Sequence, residues 1–309
     1  MRKVVVTGAA GLVGQNLIVQ LKQRDDFEII AIDKHPANTA LLRSLHPDLT
    51  VIEADLARSG DWEGAFDGAT DLVMSHAQIG GLQTAEFVAN NVTATRNILA
   101  CAERAGVGYI VHLSSSVVNS AADDDYTRTK EEQEAIVAGC AIPHVILRPT
   151  LMFGWFDRKH LGWLSRFMQK VPVFPIPGSG RYLRQPLYVG DFCAIIRSCL
   201  ETRHQGNYNI SGQERIDYID MIHELKRATG AKARIVRIPY RLFWLLLKTY
   251  ALVDRDPPFT VKQLEALVTP DVFEVIDWPD IFGVQATSLR NAFDETYQHP
   301  DYSSVVLEF

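Results

Sequence analysis

Two side chains suited to proton transfer stand one helical turn apart in this sequence. Tyr126 and Lys130 occupy positions i and i+4 of a helix-forming stretch, so they share one face of the predicted helix. A phenol has an ordinary pKa of about 10, too high for a base at neutral pH, and a neighbouring ammonium favours the phenolate. Three serines, Ser114–Ser116, end the strand predicted just upstream and offer hydroxyls that can hold a carbonyl oxygen. Taken alone, the Tyr-Lys spacing is more typical of a solvated helix face.

A glycine-rich turn near the start of the sequence favours the functional interpretation. The octapeptide TGAAGLVG follows a run of β-branched residues and opens a helix pattern. Gly8 allows the tight turn, Gly11 lets the backbone approach a pyrophosphate, and Gly14 permits close packing of helix on strand. The phosphates would meet the free N–H groups of the helix start, at Leu12 and Val13. We therefore predict a dinucleotide site. Beside such a site, a catalytic role is the favoured interpretation of the Tyr-Lys pair and its serines.

Acidic residues at the ends of the next two predicted strands indicate which dinucleotide binds. Asp33 ends the second strand, where a carboxylate accepts hydrogen bonds from ribose hydroxyls and repels a 2′-phosphate. We expect NAD, with NADP less favoured, and Lys34 directly afterwards could soften that preference. Asp55 and Leu56 follow the third strand and are predicted to lie at the adenine, with an exposed loop acid as the alternative for Asp55.

The elements that would position these residues alternate between strand and helix. Strand-like apolar runs fall at 3–7, 28–32, 50–52, 71–75, 109–113 and 144–147. Helical patterns fall between several of them, at 12–24, 41–45, 86–105 and 126–139. This alternation predicts an α/β fold, a Rossmann doubly wound parallel sheet.

A change of pattern after Pro149 predicts a second lobe. The following stretch is rich in proline, glycine and aromatic residues, which indicates loops with a short helix. We expect residues 1–150 to form the NAD-binding domain, with 186–210 returning to it. Residues 151–185 and 211–309 are expected to form a smaller mixed C-terminal lobe that binds substrate.

Composition excludes several classes of protein. The 309 residues are 47% hydrophobic and 22% charged, as in an ordinary globular enzyme, and the net charge is -6. Basic residues are dispersed, so no overall basic field would draw the chain to nucleic acid or an anionic membrane. The four cysteines and nine histidines show no ligand spacing, so we expect no metal. Reduced thiols and the lack of a signal peptide predict a cytoplasmic protein.

Two apolar features remain open to more than one interpretation. The most apolar stretch, 242–247, falls far short of the roughly 20 residues of a bilayer crossing, so no membrane span is expected. The surrounding helix, 240–253, is predicted to be buried or dimer-forming rather than a membrane tether. Four aromatic residues either line a substrate pocket or hold the two lobes together, and the sequence favours neither; they are Trp155, Phe156, Trp163 and Phe167.

Taken together, these motifs resemble the extended short-chain dehydrogenase/reductase family, which includes nucleotide-sugar epimerases, dehydratases and ketoreductases. The resemblance covers nearly the whole chain. It is carried by TGAAGLVG (7–14), Asp33, Asp55, NNVTATRNIL (90–99), HLSSS (112–116), YTRTK (126–130), LRPTLMFG (147–154) and LRQPLYVGD (183–191).

The resemblance implies roles for individual residues. Ser116 matches the catalytic serine, which also contacts substrate, Tyr126 the acid/base, and Lys130 the lysine that contacts the nicotinamide ribose. Asn91 matches a helix asparagine near the active site, expected to contact cofactor and substrate. Ala77 matches a backbone contact to the cofactor.

Arg184 matches an arginine that binds a substrate phosphate in nucleotide-sugar members. Its bidentate guanidinium suits that task, and a structural ion pair is the competing role.

Three departures from the family pattern narrow the function. Ser116 and Tyr126 lie close together in sequence, so the loop between them is cut down. Val117 and Val118 stand where a dehydratase has an acidic pair, which argues against dehydration because that reaction needs an acid for the leaving hydroxyl. Leu151 replaces a substrate-binding asparagine, which removes one polar anchor for a nucleotide sugar.

The sequence therefore predicts an NAD-dependent nucleotide-sugar epimerase or ketoreductase with a nucleoside-diphosphate sugar as its substrate. The resemblance implies a homodimer packed through the helices of 91–105 and 126–139. A hydroxysteroid or apolar-alcohol dehydrogenase is the alternative enzyme, motivated by Leu151 and the apolar helix. A non-catalytic NAD-bound sensor or assembly subunit is the alternative from another class. The intact Ser-Tyr-Lys set argues against it, because a binding module needs no proton-transfer group.

Overall fold

A computed structural model describes residues 1–120, 123–253, 261–269 and 273–308. Its strands are β1 (Arg2–Thr7), β2 (Phe27–Asp33), β3 (Thr50–Glu53), β4 (Asp71–Met74), β5 (Tyr109–Leu113), β6 (His144–Pro149), β7 (Met152–Phe153), β8 (Val173–Pro177), β9 (Leu183–Arg184), β10 (Leu187–Tyr188), β11 (Gly206–Ile210), β12 (Ile216–Asp217) and β13 (Arg234–Ile238).

Helices cover most of the remaining chain. They are α1 (Leu12–Lys22), α2 (Pro36–Leu45), α3 (Thr84–Phe87), α4 (Ala94–Ala105), α5 (Asp125–Ala138), α6 (His160–Lys170), α7 (Val189–Thr202), α8 (Tyr218–Thr229), α9 (Tyr240–Val253), α10 (Val261–Val268), α11 (Trp278–Phe282) and α12 (Leu289–Gln298). Short 3₁₀ turns lie at Asp61–Phe66 and Ser116–Asn119, and a π-helical turn at Val88–Thr93 joins α3 to α4.

Seven strands form one parallel sheet in the order β11-β6-β5-β4-β1-β2-β3. This confirms the predicted Rossmann-like α/β fold. From β1 the chain winds outward through β2 and β3, then returns to build β4, β5 and β6 on the other side. The carboxyl ends of β1 and β4 therefore meet where the winding direction reverses, which is where doubly wound sheets place their ligands.

Both faces of the sheet are covered by apolar side chains, as the continuous β-branched runs require. On one face, strand residues such as Val4 and Val6 pack with Leu17 of α1 and Ile196 of α7, all fully buried. On the other face, Val5 packs in a second cluster that includes residues of α4 and the first 3₁₀ turn. This packing holds the strand ends in a fixed arrangement.

The remaining strands form three small pairs, β7 with β10, β9 with β12 and β8 with β13. They share a third apolar cluster with α6, α8 and α12. The stretch expected to be loops with a short helix is thus more regular, because its alternating apolar residues pair across distant segments rather than locally.

The last described residues return to the sheet domain. Val306 forms a parallel bridge with Phe156, and Leu307 is buried. The Asn38 side chain in α2 then donates to the Glu308 carbonyl (2.9 Å) and accepts from the Glu308 N–H (2.8 Å). An amide side chain that satisfies both groups of one residue acts like a strand neighbour, so the end of the chain is fixed next to α2.

No helix among the described residues is long and apolar enough to cross a membrane.

We expect Gly8→Ala to destabilise the fold more than Gly106→Ala. Both glycines have positive φ, 67° and 70°, so an alanine at either position lowers the free energy of unfolding by about 1 kcal/mol through its left-handed backbone. A Cβ at Gly8 would also lie 2.5 Å from the His76 backbone nitrogen, whereas one at Gly106 meets nothing within 4 Å. Urea unfolding should give a loss of about 3 kcal/mol for Gly8→Ala. Equal losses would contradict the close approach of turn and strand.

Candidate active site

The glycine turn joins β1 to α1 at the point where the sheet reverses its winding. Gly11 is the residue before α1, no side chain of the described residues caps this helix end, and its first turn carries no acid. A Cβ at Gly11 would touch only the Gly8 carbonyl oxygen, at 3.3 Å, so the outer side of the turn is open. Gly14 differs, because a Cβ there would lie 2.5 Å from the carbonyl oxygens of Gly8 and Ala9. An uncapped helix start beside an open turn fits a pyrophosphate.

The carboxylate of Asp33 is fixed at the end of β2 by two backbone donors. Its oxygens accept from the N–H of Ala10 in the glycine turn (2.9 Å) and of His35 (3.0 Å). His35 in turn caps α2 with its imidazole. Lys34 is exposed and donates to the Asn90 side-chain oxygen at 2.7 Å, so its ammonium is already hydrogen-bonded to the π-helical turn.

The other residues predicted to meet the cofactor lie at neighbouring strand ends. Asp55 follows β3, and its carboxylate accepts from the Ala57 N–H at 3.0 Å. Leu56 is buried and its carbonyl accepts from Asn97 of α4 at 3.0 Å. Ala77 follows β4 and is exposed. Their contacts with a cofactor stay predictions.

The three serines after β5 have three different surroundings. Ser114 is buried and donates to Glu134 at 2.6 Å, and Glu134 pairs with Arg148. The Ser115 side chain is hydrogen-bonded to the Tyr126 hydroxyl. Ser116 opens the 3₁₀ turn and is half-buried. The sequence offers all three serines, and the resemblance assigns the catalytic role to Ser116; a run of identical residues gives no signal for which member faces the tyrosine.

Three consecutive aspartates before Tyr126 are explained by helix chemistry. Asp124 caps α5 by accepting from the Thr127 N–H at 2.8 Å. Asp123 and Asp125 both pair with Arg128, at 2.5 and 2.6 Å. Negative charge at a helix N-terminus is favourable. These carboxylates therefore fix the start of α5, and with it the position of Tyr126.

The Tyr126 hydroxyl titrates differently from what the Tyr-Lys spacing predicts. Burial raises the pKa of Tyr126 above its ordinary value, and the hydrogen bond from Ser115 opposes that rise. The expected lowering by Lys130 is not seen, because the lysine ammonium turns inward. Burial thus favours the neutral phenol over the phenolate.

Lys130 lies in a closed polar cage beneath the serine turn. Only 1% of the residue is exposed, and its amine donates to the Leu113 carbonyl at 2.8 Å and to the Gln133 side-chain oxygen. Burial lowers the pKa of Lys130 to about 7, although nearby Glu134 acts in the opposite direction. The cage thus disfavours the charged form of the amine.

A chain of hydrogen bonds continues from this cage to β1. The Gln133 amide nitrogen lies 3.2 Å from His76 Nε2 and donates to the Thr95 hydroxyl at 2.9 Å. Burial lowers the pKa of His76 to about 3, with Lys130 adding to the effect, so the imidazole is neutral. Its Nδ1 lies 2.8 Å from the Thr7 hydroxyl, at the end of β1. If Nε2 accepts from Gln133, then Nδ1–H donates to Thr7.

Asn91 holds two parts of the site together from the π-helical turn. Its side chain accepts from the Gln78 N–H (2.6 Å) and donates to the Gln78 carbonyl (3.2 Å), next to Ala77. It also donates to the Thr129 hydroxyl at 3.0 Å, next to Lys130. The residue has no exposed surface. Asn91 therefore links the segment after β4 to α5 by hydrogen bonds. Its direct contact with cofactor or substrate stays a prediction.

Arg184 extends its guanidinium to the end of α10. It donates to the carbonyl oxygens of Leu267 and Thr269, the latter at 2.8 Å. Cations at a helix C-terminus satisfy its last carbonyls. These contacts with described residues join Arg184 to a helix end, and a structural ion pair, the competing role, stays a prediction too. A substrate phosphate at Arg184 stays a prediction.

Trp155 packs as an interface residue. Its ring lies 4.8 Å from His299 and 4.9 Å from Tyr302, and its indole N–H donates to the Glu295 carbonyl. Its own carbonyl accepts from Asn16 of α1 at 3.0 Å. These contacts support a staple between the C-terminal lobe and the sheet domain.

Comparison with known proteins gives one family match and several distant relatives. Residues 4–211 match the family model described as the NAD dependent epimerase/dehydratase family. The chain is 23% identical over 284 residues to UDP-glucose 4-epimerase of Vibrio cholerae, across 82% of this chain and 85% of that protein. It is 28% identical over 319 aligned residues to a putative dihydroflavonol 4-reductase of Synechocystis, across 93% and 91%.

Among solved structures, the fold is similar to that of WbmG from Bordetella bronchiseptica, crystallised in complex with NAD and UDP. The TM-score is 0.73 at 21% identity, and the match covers 99% of this chain and 97% of that one.

We expect the buried amine of Lys130 to make stability rise with pH. The pKa of this lysine is about 7 in the folded protein and about 10.4 in an unfolded chain. Between those values the unfolded state binds the extra proton, so folding strengthens by up to about 1.4 kcal/mol per pH unit. Urea unfolding from pH 7 to 9.5 should show a shallower rise for Lys130→Met than for the unchanged protein. Parallel curves would mean that the amine is charged in its cage.

Proposed function

The chain belongs to the NAD dependent epimerase/dehydratase family, and on that premise we propose that it is a nucleotide-sugar epimerase or ketoreductase. It would act by tyrosine-assisted hydride transfer at a sugar carbinol carbon, with NAD as its cofactor.

The observation that carries this proposal is the placement of Tyr126. Its hydroxyl is hydrogen-bonded to Ser115 at the end of β5, and Lys130 follows one turn later in α5. In the sheet, β5 lies next to β4, which lies next to β1 and its glycine turn. A cofactor on the glycine turn and a substrate at the serine turn would therefore be neighbours.

We propose that the glycine turn of Gly8, Gly11 and Gly14 binds the pyrophosphate and that Asp33 binds the adenosine ribose. The carboxylate of Asp33 is already oriented by two N–H donors, which favours hydroxyls over a 2′-phosphate. NAD, when bound, supplies the hydride acceptor and a positive charge that favours the phenolate of Tyr126.

In the forward step, Tyr126 as its phenolate would take the proton of the substrate hydroxyl, and NAD would supply the acceptor for the carbinol hydride. Ser115 holds the tyrosine oxygen, and Ser116 keeps the role predicted for it, donating to the carbonyl oxygen that forms. In an epimerase the keto intermediate would rotate in the pocket, and the same proton and hydride would return to the other face of its carbonyl. The reaction is therefore redox-neutral. A ketoreductase would run only the return half and consume reduced cofactor.

Relatives support a nucleoside-diphosphate sugar as the substrate class. The Vibrio cholerae relative is a UDP-glucose 4-epimerase, and the Bordetella structure holds UDP. We propose that residues 151–185 and 211–309 form the substrate lobe, with 1–150 and 186–210 as the NAD-binding domain. Arg184 would contact a phosphate from this lobe.

An apolar alcohol is a second candidate substrate, which one observation favours. Leu151, where a polar anchor is expected for a sugar, is 40% exposed at the end of β6. An exposed leucine at a strand end where ligands bind suits an apolar ring better than a sugar hydroxyl.

Two further expectations concern the setting of the enzyme. The four cysteines are unpaired, and three of them are buried, which supports a reducing, cytoplasmic location. A homodimer through α4 and α5 would place Arg96 and Glu132, which pair at 2.9 Å, near its interface.

We expect Tyr126→Phe to retain NAD and lose turnover. The variant should be incubated with UDP-, dTDP- and GDP-hexoses, and the products separated by ion-exchange chromatography. Loss of the proton-transfer group should lower kcat by about 10²- to 10⁴-fold. Tyr208→Phe is the matched control, since this tyrosine lies in β11 and its hydroxyl donates to the Gln205 carbonyl, outside the serine turn. Undiminished turnover by Tyr126→Phe would refute the mechanism.

If the unchanged protein binds NAD but converts no sugar nucleotide, a panel of secondary apolar alcohols tests the second candidate. Turnover of neither class would favour an NAD-bound sensor.

The two serines should give different pH profiles. The Ser115 hydrogen bond lowers the pKa of Tyr126, so Ser115→Ala should move the ascending limb of the kcat/KM profile to higher pH. Ser116→Ala should lower kcat across the whole profile without moving that limb, because its hydroxyl acts on the substrate. The reverse pattern would assign the tyrosine contact to Ser116.

A further inference from the structure

The segment from Ala231 to Val253 has an unusual charge. It contains five basic residues and no acidic one, in a chain whose net charge is -6. The basic residues are Lys232, Arg234, Arg237, Arg241 and Lys248. Such a local excess is missed when only the total charge is considered, and it points to an anionic partner for this part of the surface.

Three leucines of α9 lie on the outside of the protein. Leu242, Leu245 and Leu246 are 48%, 52% and 51% exposed. Their spacing of i, i+3 and i+4 places them on one face of the helix. Phe243, Trp244 and Leu247, by contrast, are half-buried against the lobe. The expectation of a buried helix is therefore wrong for the leucine face, which forms a contiguous apolar surface.

Cations flank these leucines on the same exposed side. Arg241 and Lys248 are exposed at the two ends of the leucine row, and the Lys248 ammonium lies 4.6 Å from the centre of the Trp244 ring. Arg234 and Arg237 of β13 are exposed too. None of these cations forms an ion pair with a described residue.

The α9 surface, defined as Leu242, Leu245 and Leu246 with Arg241 and Lys248, follows directly on a strand of the lobe. β13 runs directly into α9 and pairs in parallel with β8 along its whole length, from Arg234 opposite Val173. The Gly178 N–H also donates to the Ile238 carbonyl at 2.7 Å. The strand that leads into the α9 surface is thus anchored in the lobe.

We propose that the α9 surface docks on the headgroup region of an anionic lipid bilayer. An apolar row with cations at both ends fits an interface, since leucines enter the acyl boundary while Arg241 and Lys248 extend to the headgroup phosphates. The arginines of β13 would add attraction to the negative surface potential.

A second copy of the chain fits this surface less well. A twofold contact would bring the same patch of both copies together, so like charges would face one another across the interface. A bilayer with anionic lipid neutralises the cations instead.

Co-sedimentation with vesicles tests the proposal. The full-length protein should bind vesicles of phosphatidylcholine with 25% phosphatidylglycerol at least about tenfold more tightly than pure phosphatidylcholine. Binding should weaken as salt rises from 0.05 to 0.5 M, because screening removes the attraction. No preference for the anionic vesicles would overturn the proposal.

Two variants separate the apolar and charged contributions. The triple change Leu242→Gln, Leu245→Gln, Leu246→Gln and the double change Arg241→Gln, Lys248→Gln should each reduce binding about tenfold or more. Ile281→Gln and the pair Arg43→Gln, Lys170→Gln are matched controls at exposed positions elsewhere and should bind like the unchanged protein. Melting temperatures check that every variant folds.

Light scattering after gel filtration tests whether a second copy of the chain, rather than a bilayer, occupies the α9 surface. The oligomeric state should be the same for the unchanged protein and the leucine triple variant. If that variant turns a dimer into a monomer and vesicle binding is absent, the surface is an interface between copies and the proposal fails. Turnover of soluble substrates is independent of this result.

Discussion

Lys130 carries an amine into the interior of this protein, where an ammonium is costly unless every N–H finds an acceptor. Two of its N–H groups find acceptors, and these come from different elements. Leu113 ends β5, Gln133 lies on α5 itself, and beyond Gln133 the hydrogen bonds reach His76 after β4 and Thr7 at the end of β1. The ends of three neighbouring strands are thus tied together by the partners of one side chain.

The neutrality of His76 gives this chain of hydrogen bonds a direction. A charged imidazole would have donors on both nitrogens and could not accept from Gln133. Because burial lowers the pKa of His76 to about 3, the ring keeps one acceptor, and Gln133 can direct its oxygen toward Lys130. Sequence reasoning had no means to find Gln133 or His76, since neither belongs to a motif and their contact spans 57 positions.

Much of the fold and the outline of the site could be predicted because they depend on local sequence. The glycine turn, the carboxylate of Asp33 and the Tyr-Lys spacing are readable from neighbouring residues. What could not be predicted depends on distant partners. Ser115 was indistinguishable from Ser116 until the 3₁₀ turn placed it against Tyr126, and Arg184 meets a helix end more than 80 positions away. The short strand pairs of the C-terminal lobe also join segments with no local signal.

The π-helical turn at Val88–Thr93 has a consequence for how chains of this kind diverge in length. A π turn accommodates one residue more than an α-helical path between the same two points. Asn91 lies within it, so removal of one residue there would rotate everything beyond by roughly 100° relative to α3. Either Asn91 would leave Gln78 and Thr129, or α4 would turn its apolar face from the sheet. A one-residue gap at this place in an alignment therefore indicates that the Asn91 hydrogen bonds to Gln78 and Thr129 are lost, however well the flanking residues match.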